Sequence, residues 1–66
     1  MTKTELTADL RRHCGGSGFI TRKGTADYFG VSEPRAIDKY LEGLPRVSDK
    51  YYFIGDLADN ILKFRN

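Results

Sequence analysis

The feature that most constrains this chain is a four-residue turn, Phe29-Gly30-Val31-Ser32, set between two short helical patterns. Before it, Thr21 is placed to cap a first helix, and Ala26 and Phe29 give that helix an apolar face. Gly30 is the residue that can adopt the left-handed conformation ending a helix, and Val31 turns inward behind it. Ser32 is the expected N-cap of a second helix, with Pro34 in its first turn, where the missing N–H costs nothing. Ala36, Ile37, Tyr40, Leu41 and Leu44 recur at helical spacing and predict its buried face, and Gly43 its end. Two helices meeting at such a turn are the layout of a helix-turn-helix.

The rest of the chain is short enough to be read around that unit. With 66 residues there is room for one domain (1–66), and a chain of this size buries only about 60% of its unfolded surface. A large catalytic cleft is not expected at this size, and no Ser/His/Asp, Cys/His or phosphate-loop pattern appears, so a non-enzyme is expected. One cysteine and one histidine predict neither a disulfide nor a metal site, and no cofactor motif is present. No apolar run approaches membrane-spanning length and no signal-peptide pattern is seen. The expectation is a soluble cytoplasmic protein.

Thr2 and Glu5 form a capping-box pattern opening an N-terminal helix over residues 1–14. Leu6, Leu10, His13 and Cys14 share its inner face, with Lys3 at the edge and Asp9, Arg11 and Arg12 outward. Gly15-Gly16-Ser17-Gly18 breaks that helix and lets the chain reverse, ahead of a core over residues 19–66. Phe19-Ile20 is a short strand leading into the helix pair, and Gly24 beside Ala26 is expected to let the two helices approach closely. After Pro45 the period changes to two. Residues 45–54 predict a β-hairpin with Tyr52 and Ile54 on one side and Tyr51 and Phe53 on the other. A last helix from Gly55-Asp56 carries Leu57, Ala58, Ile61, Leu62 and Phe64 inward, with Lys63 and Arg65 in its last turn. The fold class is therefore α+β: a small winged helix-turn-helix with three to four helices and a short two-stranded hairpin wing.

Net charge is only +2, so placement of the cations carries any argument for a nucleic-acid partner. Arg22 and Lys23 stand at the start of the first helix of the pair, where backbone N–H groups attract phosphate. Arg35 and Lys39, four apart on the second helix, are expected side by side, able to donate to guanine or phosphate. Asp38 and Glu42 lie beside them, either holding them in place or, for Glu42, accepting from cytosine. Arg46 and Lys50 lie near the hairpin tip.

The segment FITRKGTADYFGVS, followed by Leu44-Pro45 and KYYFIGDLADNIL, resembles the winged helix-turn-helix of phage and transposon excisionases, itself similar to the MerR-like DNA-binding domain. The resemblance covers about two thirds of the chain. It implies a double-stranded DNA-binding protein of a mobile element that bends DNA for an integrase or recombinase, with self-association on DNA. On that basis Arg22, Lys23, Ser32 and Lys50 would position the backbone, Arg35 and Lys39 would read the major groove, and Arg46 and Tyr51 would serve the wing. The N-terminal helix is not part of the family layout and is a candidate contact with a neighbouring copy. A transcriptional regulator on the same scaffold is the alternative, as is a winged-helix protein-interaction module using the Tyr51/Phe53 pair.

Overall fold

Helix α1, Lys3–His13, starts where the capping box expects: Glu5 N–H donates to Thr2 Oγ1 at 3.2 Å and Thr2 N–H to Glu5 Oε1 at 2.9 Å. The computed structural model describes residues 2–64. After the turn at Gly15 and Gly16, both at positive φ, come strand β1 (Phe19–Thr21) and helix α2 (Arg22–Phe29). A 3-10 helix (Pro34–Ile37) runs into the single turn α3 (Asp38–Leu41), and β2 (Arg46–Val47), β3 (Tyr51–Phe53) and α4 (Ile54–Lys63) follow. This is an α+β fold of winged-helix type.

Helix α2 is bounded by its own residues. Thr21 Oγ1 accepts from Gly24 N–H at 2.9 Å. At the other end Gly30 sits at φ 72°, with Gly30 N–H donating to Asp27 O and Val31 N–H to Ala26 O, the paired bonds of a Schellman ending. Val31 packs against the core behind it. Gly24 does not bring the two helices together: a Cβ there would meet Ile20 and Thr21 at 3.1 Å, so the close approach is to the incoming strand.

The second helix of the pair departs from expectation. Pro34 drives the residue before it into extended backbone, so Glu33 (φ −105°, ψ 117°) takes the N-cap position and Ser32 stands one residue outside. Neither Ser32 nor Glu33 makes a side-chain cap. The first four residues then wind as a 3-10 helix, which turns about 120° per residue rather than 100° and rotates the faces. Ile37 and Leu41 are buried, Tyr40 and Leu44 half-buried, and Ala36, expected inside, is exposed. The helix ends at Leu41, ahead of Gly43 (φ 81°).

The sheet has three strands rather than the hairpin's two, in order β1-β3-β2, all antiparallel. Phe19 pairs with Phe53, Ile20 with Tyr52 and Thr21 with Tyr51, while Arg46 and Val47 pair with Tyr52 and Tyr51. The hairpin turns with Ser48 (φ 54°) and Asp49 (φ 63°) both left-handed and Lys50 N–H donating to Val47 O, a type I′ pattern. Helix α4 starts at Ile54, one residue before the expected start, with Ile54 N–H donating to Gly18 O. Arg65 lies outside the described residues.

One core joins every helix: Leu6 and Leu10 of α1, Ile20 of β1, Ala26 of α2, Ile37 and Leu41, and Ile54, Leu57 and Ala58 of α4 are all buried. Asp9, expected to point outward, accepts the Tyr28 hydroxyl and ties α1 to α2. Burial, followed by this bond, pushes the Tyr28 phenol up to about 12. His13 stays exposed at the end of α1, its ring edge against Tyr28, and Cys14 packs half-buried on the core, where burial raises its thiol pKa. No helix among the described residues is long and apolar enough to cross a membrane.

Candidate nucleic-acid interface

Two adjoining grooves run between the helix pair and the hairpin. One, of about 400 Å³, is lined by Thr21, Arg22, Lys23, Arg46, Asp49, Lys50 and Tyr52. The other, of about 640 Å³, is lined by Arg22, Asp38, Lys39, Leu41, Glu42, Arg46 and Tyr52. They share Arg22, Arg46 and Tyr52 as a common wall. Four cations against one carboxylate make the first groove strongly basic, whereas three against two leave the second nearly balanced. The basic groove also lies at the positive end of α2.

The local fold accounts for this convergence. Thr21 ends β1 and caps α2 in one step, so Arg22 and Lys23 emerge directly beside the sheet. The antiparallel register sets Arg46 opposite Tyr52, on the same sheet face as Ile20, and the tight turn brings Lys50 back to the groove. Not every cation is equally free. Arg22 makes a two-pronged ion pair with Asp38, Nε to Oδ1 at 2.7 Å and Nη2 to Oδ2 at 2.8 Å. That pair holds the Asp38 carboxyl below its ordinary pKa and raises that of the guanidinium. Among the described residues, no ion pair involves Lys23, Arg46 or Lys50.

Arg22, Lys23, Arg46 and Lys50 thus come together, with Lys39 on the adjoining groove. Ser32, Arg35 and Tyr51 do not join them. Arg35 belongs to the 3-10 turn and Lys39 to α3, and the two meet different partners. Arg35 Nη2 reaches Glu33 Oε2 at 3.2 Å, whereas Lys39 Nζ lies 5.1 Å from the Tyr40 ring centre and 5.8 Å from that of Phe64. Asp38 bonds Arg22, and the Arg35 charge adds to the field that lowers its pKa. Tyr51 sits on the opposite sheet face from Arg46, so the groove tyrosine is Tyr52, which also packs against the core. The two-residue period was the available signal, since it places Tyr52 opposite Arg46 once the turn is fixed.

The site is open rather than an enclosed cavity, and it brings together exposed cations, a helix N-terminus and an aromatic wall. Compared with protein-family models, curated proteins and solved structures, the chain matches none.

Proposed function

We propose that this protein binds double-stranded DNA, seating one phosphate backbone in the basic groove between α2 and the hairpin. The convergence of Lys23, Arg46 and Lys50 with the start of α2 carries this reading. Lys23, Arg46 and Lys50 act as phosphate clamps, and Arg22, held by Asp38, shapes the groove and adds positive potential. Arg35, exposed and bonded only to Glu33, is the side chain on the second helix left to reach a base edge. The resemblance to excisionases supports a role in recombination, with the protein placed on DNA beside an integrase. A surface this small supplies few phosphate contacts, so tight binding calls for several copies or a partner.

The test is a salt-dependent binding isotherm on random-sequence duplex. Affinity falls as salt rises, and Lys23→Ala/Lys50→Ala lowers the slope of log K against log salt by about 2, since each lost phosphate contact removes about 0.9. Absence of binding at low salt, or an unchanged slope in the double variant, overturns the reading.

A further inference from the structure

The two faces of the sheet differ in kind. The register puts Ile20, Tyr52 and Arg46 on the face toward the core and groove, and Phe19, Phe53, Thr21, Tyr51 and Val47 on the other. That second face is open: Phe19 is 40% exposed, Val47 45% and Phe53 49%. An antiparallel sheet covered on one side ordinarily carries polar residues on its solvent side, and an uncovered apolar face invites aggregation. Here the solvent side is aromatic. Phe19 and Phe53 lie 5.8 Å apart with their planes at 58°, and Phe53 is backed by Gly55, where a Cβ would come within 2.8 Å of the ring. At the far end, Lys50 Nζ lies 5.2 Å from the centre of the Tyr51 ring. Lys50 is also a wall of the basic groove, so groove and aromatic face meet at one cation.

We propose that this face stacks the bases of an unpaired, single-stranded stretch of nucleic acid whose backbone passes over Lys50. This rests on the basic groove being a nucleic-acid site. Charge favours that occupant, because a cation, Lys50, stands over the Tyr51 ring and none of the strand residues on this face is acidic. Chemistry favours it too: exposed aromatics on neighbouring strands of a sheet stack two or three bases, without choosing among them. Area separates it from a protein partner. Side chains of this size at about half exposure offer on the order of 300 Å², well below the roughly 800 Å² per side of a stable protein interface.

The experiment uses the full chain with three labelled probes: a twelve-residue oligo-dT, an abasic strand of equal length, and a random duplex. Oligo-dT is expected to bind about tenfold or more tighter than the abasic strand, which has the same phosphates and no bases. Phe19→Leu/Phe53→Leu, with folding checked by its thermal melt, should erase that preference and leave duplex affinity unchanged. Equal binding of the oligo-dT and abasic strands by the unaltered protein overturns the proposal, whatever the variant does. So does a leucine variant that keeps the preference, which would place the base contacts elsewhere on the protein. A preserved preference in the unaltered protein with no duplex binding would sink the duplex reading alone.

Discussion

Helix α2 and the segment Pro34–Leu41 are neighbours of equal length, eight residues each, held in place in opposite ways. Helix α2 carries its own start and stop: Thr21 caps one end and Gly30 with Val31 closes the other. The segment after the turn has no side-chain cap and splits between 3-10 and α winding. Its anchors come from elsewhere. Ile37 and Leu41 are buried in the shared core, Asn60 of α4 donates to Tyr40 O at 2.9 Å and to Glu42 O at 3.3 Å, and Arg22 of α2 grips Asp38. The exposed side of this second segment is thereby released from specifying its own helix. The remainder of the fold does that work.

The contrast can be broken most forcefully at Ile37. Replacing this fully enclosed side chain with alanine should cost about 3 kcal/mol of global stability, read from urea unfolding. A cost under about 1 kcal/mol would mean the segment is not anchored through the core. Asn60→Ala comes next, at about 1–2 kcal/mol, because it strips the donor from two carbonyls at the end of α3. Thr21→Ala should cost about 1 kcal/mol, the worth of a lost N-cap. The location of the damage sharpens the contrast more than its size. Amide exchange within Asp38–Leu41 should quicken in Asn60→Ala and leave α2 untouched, while Thr21→Ala should loosen the first turn of α2. Equal loosening of both segments by both variants would abolish the distinction.

The same contrast explains what could be read from the chain. Both ends of α2, the capping box of α1 and the alternation of Tyr51, Tyr52 and Phe53 were legible because each depends on residues within five positions of one another, whereas Ile54, expected in the hairpin, opens α4. The second segment was misread for a local reason and a distant one. Pro34 shifted the cap from Ser32 to Glu33 and favoured 3-10 winding, which moved Ala36 out and put Arg35 and Lys39 in differently wound turns. Asn60 lies 18 and 20 positions from its two acceptors, with no sequence pattern linking them. The cation cluster was legible residue by residue at Arg22, Lys23, Arg46 and Lys50. The exchange of Tyr51 for Tyr52 as the groove tyrosine follows from the hairpin register, which sets Tyr52 and not Tyr51 opposite Arg46.

The smallest expected effect lies at the one ion pair that joins the two segments. Arg22 and Asp38 are both about half exposed, so water screens their attraction and the long arginine side chain loses freedom in holding it. Asp38→Asn should therefore leave the thermal midpoint nearly unchanged at pH 7. The pH dependence carries the information. The pair holds the folded Asp38 carboxyl below its ordinary value of about 3.9, so the folded state binds its proton less readily than the unfolded state. Its contribution is thus present above about pH 4 and lost as pH falls through the lowered folded value. Asp38→Asn should flatten the acid limb of the stability curve in that window and leave the neutral limb alone. On DNA the same substitution should do the opposite of destabilising. With the carboxylate gone, Arg22 becomes a fourth free cation in the groove, so affinity should rise and the salt slope steepen by about 1. A weakened complex would instead mean that Asp38 is needed to aim Arg22 at the phosphate, and that the second segment reaches DNA through its neighbour.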